Sequence, residues 1–192
     1  MLTTPIKQTI VTTAAGLFYK NGYNRTGINE IIKEAGVAKA TLYGYFKSKE
    51  ELCVSYLQYK EQRFLKNLET YTAKVNSGQD QIVSIFDYLL SFYHSNQFHG
   101  CWCLKTISEI PKENESIRLE LQRQKSALKT FIKRLILRNL ITITEIESKY
   151  ISNQVYLLYE GAIAESYLQN DDWPIKASKD MCEKLLAMHL KK

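Results

Sequence analysis

Apolar positions along the chain recur at spacings of three and four and nowhere keep the strict alternation of a half-buried strand, which predicts helices throughout. Ile6, Ile10, Ala14 and Leu17 or Phe18 share one face of a first helix, which Thr4 caps and Pro5 opens, since proline forfeits no hydrogen bond at that position. Asn21-Gly22 stops it. Ile28, Ile31, Ile32 and Ala35 line a shorter second helix closed by Gly36, and a tight turn leads straight into a third. There Leu42 and Phe46, one turn apart, close a small core with Val37 and the first two helices, leaving Lys39, Tyr43 and Lys47 on a separate stripe. Two short helices joined by a Gly-containing turn, the second with an exposed Lys/Tyr/Lys row, is the sequence form of a helix-turn-helix.

Ser48-Lys49-Glu50-Glu51 reads as a capping box that starts a long fourth helix running to about Val75, with Cys53, Leu57, Phe64, Leu68 and Tyr71 on its apolar stripe and Asn76-Ser77-Gly78 ending it. Further helices are predicted at roughly 80–94, 102–110 (stopped by Pro111), 114–138, 144–168 and 175–190. The fold class is therefore all-α, with about nine helices: an N-terminal three-helix head over 1–47, and a helical body over 48–192. Val155 to Tyr159 followed by Gly161 to Ala164 is apolar almost all round, so this helix is expected to be buried on more than one side. With the amphipathic last helix it could form half of an intermolecular four-helix bundle, or both could be core helices of a monomer.

Length and composition suit one compact body with a smaller lobe, the chain being 45% hydrophobic over 192 residues. The net charge of +6 is modest, but its placement is informative: the first 50 residues hold seven Lys or Arg against three Glu, which is +4 of that +6. The opening MLTTPIKQTI lacks a basic segment followed by an apolar one, and no run of about 18 apolar residues occurs, so a cytoplasmic protein that does not enter membranes is expected. Cys53, Cys101, Cys103 and Cys182 fall in helical segments of an ordinary core and are expected to be reduced.

The run TTAAGLFYKNGYNRTGINEIIKEAGVAKATLYGYFKSKEEL resembles the N-terminal DNA-binding domain of TetR-family regulators over almost its whole length. The specific parts are AGLFYKNG at 15–22, Thr26 to Ile32, Gly36-Val37, and Thr41-Leu42-Tyr43 through Phe46 into Lys47-Ser48-Lys49-Glu50-Glu51-Leu52. The resemblance implies that Lys39, Ala40, Thr41, Tyr43 and Tyr45 form the face of a recognition helix, with Thr41 and Tyr43 on phosphates and Lys39 on a base edge or phosphate. It also implies a DNA-facing position for Thr26, base readout by Asn29 and a phosphate grip by Lys49 at a helix N-terminus. Three departures stand out: Gly27 where a hydroxyl is common, so that this phosphate contact is either lost or taken over by the backbone N–H of Gly27; Ala38 where Ser or Thr often caps the recognition helix; and Gly44 for a larger residue. Over the rest of the chain, Gly100-Cys101 and LLYEGAIAESYLQNDDWP look like patterns of a broad subgroup and imply a nine-helix homodimer, joined through its last two helices and enclosing an effector cavity.

On that reading the partners are double-stranded operator DNA of pseudo-palindromic form, a second copy of the chain and a small-molecule effector whose binding releases the operator, the long fourth helix being the lever between head and core. Phe86, Leu89, Phe92, Tyr93, Trp102, Tyr156 and Tyr159 are the candidates for the effector cavity, with plain core packing as the alternative for each. Glu160 and Glu165 could balance a cationic ligand or serve as caps and ion pairs. His94, His99, Cys101 and Cys103 lie within ten residues, which raises metal or thiol sensing through Cys101 and Cys103 beside ordinary packing, although no metal site is assigned. No cofactor is implied, and no Gly-rich phosphate loop, His-Glu-x-x-His pair or Gly-x-Ser-x-Gly elbow argues for an enzyme. A ligand-independent DNA-binding protein with the same head is the other reading.

Overall fold

A computed structural model describes residues 4–140 and 142–190; the outermost residues of the two expected domains, including the start of MLTTPIKQTI, lie outside the described residues. Among these the chain forms nine helices: α1 (Pro5–Asn21), α2 (Ile28–Ala35), α3 (Lys39–Tyr45), α4 (Lys49–Thr72), α5 (Gln79–Tyr93), α6 (Trp102–Glu109), α7 (Glu115–Asn139), α8 (Glu145–Gln169) and α9 (Trp173–Leu190). No described helix is long and apolar enough to cross a membrane.

The helix ends follow from local chemistry. Thr4 Oγ1 accepts from the Lys7 N–H at 3.4 Å ahead of Pro5, and Gly36 closes α2 in the left-handed conformation. Ser48 Oγ accepts from the Glu51 N–H at 3.1 Å, but the Glu51 carboxylate takes the Lys47 N–H at 2.7 Å instead of that of Ser48, one residue further out than a capping box requires. At α8 the box is complete: Thr144 and Glu147 exchange bonds at 3.2 and 2.9 Å. Two expected boundaries shift. α4 stops at Thr72, its last turn tightening into bonds from Lys74 and Val75 to the carbonyls of Tyr71 and Thr72. α9 begins at Trp173, because Asp171 accepts the Trp173 N–H at 3.0 Å and Pro174 fits a first turn.

The chain divides into two compact units, 1–64 with 102–124 and 65–101 with 125–192. In the first, Ile10, Ala14, Ile31, Leu42, Leu52 and Leu57 are fully buried, and the Phe18 ring packs 5.5 Å from that of Tyr56. The three head helices share this unit with α6 and the start of α7. Gly22 shows how closely: at φ 95° its N–H bonds to the Phe18 carbonyl, and a Cβ there would sit 2.3 Å from Glu109 Oε1. Asn24 completes the clamp, its backbone N–H donating to Glu109 Oε2 at 2.7 Å and its side-chain amide to the Glu109 carbonyl at 2.8 Å. Deeper in, Arg123 joins the buried Glu61 and Glu120, and Gln124 bonds Glu120 at 2.7 Å while accepting from Trp102 Nε1 at 3.1 Å.

The second unit packs α9 against α8 and α5. Phe86, Ile151, Val155, Cys182 and Leu186 form its interior, and Lys179 pairs with Asp87 at 2.6 Å across α9 and α5. The helix expected to be apolar all round is buried on one side only: Tyr150, Leu157 and Leu168 stand exposed on α8.

Candidate nucleic-acid interface

The α2–turn–α3 segment turns two residue classes in opposite directions. Leu42 is fully buried and Phe46 1% exposed, while Lys39, Ala40, Tyr43, Gly44 and Lys47 are exposed, Tyr43 to 42%. The reason is amphipathic spacing: 42 and 46 are one turn apart, as are 39, 43 and 47, so burying one pair against Ile31 and α1 carries the other row outward. Ala38 provides no side-chain cap for α3, as its methyl group requires, and the helix relies on its carbonyl accepting from Thr41 and Leu42 at 3.0 and 3.2 Å.

The other expected contact residues divide. Asn29 and Gly27 are exposed, although the Gly27 N–H points at Glu30 Oε2 at 3.4 Å and so already has an acceptor. Thr41 and Tyr45 are half-buried, and the Thr4 hydroxyl donates to Tyr45 Oη at 3.0 Å, tying the start of α1 to the end of α3. Thr26 is a correction. It is fully buried and its hydroxyl donates to the Gly22 carbonyl at 2.8 Å, so it closes the turn between α1 and α2 and presents nothing to a phosphate.

Lys49 sits half-buried at the start of α4 with its ammonium 4.4 Å over the face of Tyr23. Burial lowers its pKa, opposed by the nearby Cys53 and Glu109. The Tyr23 phenol is in turn pushed up to about 12, by burial first and then by Cys53 and Glu50. Tyr23 escaped the reading of the sequence, where nothing marks an aromatic 26 positions upstream as the rest for a lysine. The same holds for Glu109, whose clamp on Gly22 and Asn24 joins groups 85 positions apart.

The aromatic residues expected around an effector do not form one set. Phe86 and Tyr159, both buried, pair at 5.8 Å between ring centroids; Phe92 and Tyr93 converge on Phe98 at 5.7 and 5.1 Å; Tyr156 carries the Lys129 ammonium at 5.8 Å. Leu89 is buried among the α5 residues. Trp102 belongs to the first unit, edge-on to Phe64 at 5.3 Å, with Lys60 between it and Tyr19. Glu160 is ion-paired to Lys125 at 2.5 Å, and Glu165 accepts from Gln169 at 3.4 Å.

The histidines and cysteines of 94–103 take separate partners: His94 Nε2 meets Asp172 Oδ2 at 3.1 Å, Cys101 lies beside Lys125, and Cys103 faces Gln124 Oε1 at 3.7 Å. No three His, Cys, Asp or Glu side chains converge as a metal site among the described residues. Cys53, Cys101, Cys103 and Cys182 form no disulfide.

Residues 10–55 match the family model described as bacterial regulatory proteins of the tetR family. The fatty acid metabolism regulator protein of Bacillus subtilis (strain 168) is 37% identical over 60 residues, 31% of this chain and 31% of that protein, so the match spans under a third of the relative. The HTH-type transcriptional regulator QacR of Staphylococcus aureus (strain Mu50 / ATCC 700699) is 26% identical over 168 residues, 86% of this chain and 76% of QacR. Among solved structures SCO4454, a TetR-family transcriptional regulator from Streptomyces coelicolor, superposes with a TM-score of 0.79 at 19% identity, over 98% of this chain and 89% of that one. At that identity the likeness bears on the fold alone.

Proposed function

We propose that this chain is a homodimeric transcriptional repressor of the TetR type, released from a pseudo-palindromic operator by a small-molecule effector, a reading supported by the match of residues 10–55 to the tetR-family model. The observation that carries the reading is the outward row Lys39, Tyr43 and Lys47 on α3, held by the buried Leu42 and Phe46 behind it. Such a helix lies in a major groove with its cations and hydroxyls on phosphates and base edges. Residues 1–47 serve as the DNA-binding head and 48–192 as the effector and dimerisation domain. The protein works in the cytoplasm as a binder and not as a catalyst.

Dimerisation rests on α8 and α9. Ile146, Tyr150, Leu157, Gly161, Ala164 and Leu168 recur at three, four and seven on one face of α8, and the large members are 50% exposed or more. Trp173, Met181 and Met188 continue the surface on α9, exposed to 54, 56 and 71%. A lone subunit would leave this stripe in water, whereas two copies packed as a four-helix bundle cover it, and Gly161, where a Cβ would meet nothing within 4 Å, leaves room for close approach. Two α3 helices in such a dimer read half-sites one helical turn apart, about 34–36 Å.

Selection from randomised duplex DNA, repeated at several salt concentrations, tests this. An inverted-repeat site bound by a dimer is expected, with affinity falling steeply as salt rises. Recovery of no enriched sequence, or of a site that Tyr43→Ala and Lys39→Ala leave untouched, would overturn it.

A further inference from the structure

Along the part of α7 that lies in the second unit, most cations have a partner. Lys125 pairs with Glu160 at 2.5 Å, Lys129 lies over the Tyr156 ring at 5.8 Å, and Lys133 pairs with Glu145. Arg134 and Arg138 are the exceptions: both are exposed, and neither has a hydrogen-bond or ion-pair partner among the described residues. They stand one turn apart on one face of the helix, and both line the same recess, a cavity of about 30 Å³ between the end of α4, the start of α5 and α7. All of its lining residues belong to the second unit.

The walls of the recess suit an anion with a small apolar part. Phe131 and Leu135, both buried, give it an apolar floor. Gln81 closes the back: its Nε2 donates to the carbonyls of Thr72 and Val75 at 3.1 Å each, and its Oε1 accepts from Asn139 Nδ2 at 2.8 Å. Carbonyls at the end of α4, whose partial negative charge would repel an anion, are thus already engaged. Asn139 also accepts the Gly78 N–H at 2.6 Å, which fixes the last turn of α7 against the start of α5, so the wall need not rearrange to admit a charged group. Glu69 lines the recess too, yet its carboxylate pairs with neither guanidinium, which leaves two positive charges facing one negative. The volume is far short of a drug-sized ligand, so an occupant keeps its charged head at the mouth and puts only a short apolar end inside.

We propose that Arg134 and Arg138 form a binding site for a small organic phosphate, its phosphate held by the two guanidiniums and its apolar part resting on Phe131 and Leu135. Each guanidinium offers a planar fork of N–H donors, and a phosphate monoester has three terminal oxygens and nearly two negative charges, enough to occupy both forks and to outweigh Glu69. A single carboxylate would fill one fork and leave the other unpaired. None of the aromatic residues expected around an effector lines this recess, so the site goes beyond the effector reading and does not depend on it.

The test is calorimetric titration of the full chain at low ionic strength with phenyl phosphate, inorganic phosphate and phenol. Phenyl phosphate is expected to bind once per chain, about 10-fold or more tighter than phenol, and to weaken as salt is added. Inorganic phosphate should bind about 3-fold or more weaker than the ester, for want of the apolar contact. Replacing both arginines, Arg134→Gln with Arg138→Gln, should weaken phenyl phosphate about 10-fold or more. Glu69→Gln should tighten it about 2- to 5-fold, because a like charge leaves the mouth. All three side chains are exposed, so circular dichroism melts of these variants should match the unaltered chain. Phenyl phosphate that binds no tighter than phenol, or equally well after both arginines are replaced, would overturn the proposal. Equal affinity for inorganic phosphate and the ester would overturn the role given to Phe131 and Leu135, and with it the organic ligand.

Discussion

The outer face of α3 in the first unit and the outer face of α8 in the second both expose large side chains. Tyr43 is 42% exposed and Leu157 67%. Around Tyr43 stand Lys39 and Lys47; around Leu157 stand Tyr150, Gly161 and Leu168. The first surface keeps hydroxyl and ammonium groups solvated until they exchange water for phosphate, and its binding is electrostatic and salt-dependent. The second offers little hydrogen-bonding capacity beyond the Tyr150 hydroxyl and gains free energy mainly by removing apolar area from water. The kind of partner is therefore written in the chemistry of the exposed row and not in how much of it is exposed.

The largest effect should come from crossing the two chemistries. Leu157→Glu places a carboxylate where two copies would meet, and unpaired burial of charge costs several kcal/mol, so the dimer should weaken by about 1,000-fold or more in sedimentation equilibrium, with operator affinity falling alongside. A variant still dimeric at micromolar concentration would remove α8 from the interface. Next comes the anchor behind the DNA face: Leu42→Ala should cost about 2–5 kcal/mol, seen as a lower melting temperature by circular dichroism, because Leu42 is fully buried. A loss below about 1 kcal/mol would mean that α3 is not held from behind.

On the face itself, Lys39→Ala should lower operator affinity about 10-fold and flatten the salt dependence by about two ions, one for each subunit of the dimer, while leaving the melting temperature and the dimer constant alone. The same change at Lys60 should behave oppositely, since that ammonium lies 3.7 Å over the Tyr19 ring, half-buried in the first unit. Burial and then the charge of Arg63 lower its pKa to about 8 from 10.5. Between those values the unfolded chain binds the extra proton, so the penalty is full below about pH 8 and relieved as pH rises. Above pH 9 the raised thiols of Cys53 and Cys182 work the other way, leaving pH 8–9 as the clean window. Thermal melts of Lys60→Met should lack the rise that the unaltered chain shows there; an identical slope would refute the shift. The smallest effect is Ala38→Ser, expected to add about 0.5–1 kcal/mol by restoring an N-cap to α3, readable in urea denaturation.

Much of this architecture was legible one segment at a time. Thr4-Pro5, Asn21-Gly22, Gly36 and Pro111 mark helix ends because caps and breakers act within a few residues of where they stand. The stripe Lys39, Tyr43, Lys47 was legible for the same reason, being a matter of turn geometry. Thr26 was misread because a short hydroxyl residue before a helix serves equally as a phosphate donor or as an internal latch, and only the position of the Gly22 carbonyl separates the two.

The order of helices, the polarity of each face and the basic excess of the first 50 residues follow from the sequence alone, since they depend on periodicity and local capping. Tertiary structure alone decided which half of α8 is covered, that Glu109 latches the turn at Gly22 and Asn24, that Lys49 rests on Tyr23, and that Cys101 meets Lys125 and Glu160. Each of those contacts joins groups distant along the chain. No local propensity encodes them, because they form only when packing of the whole unit brings separate helices to one place.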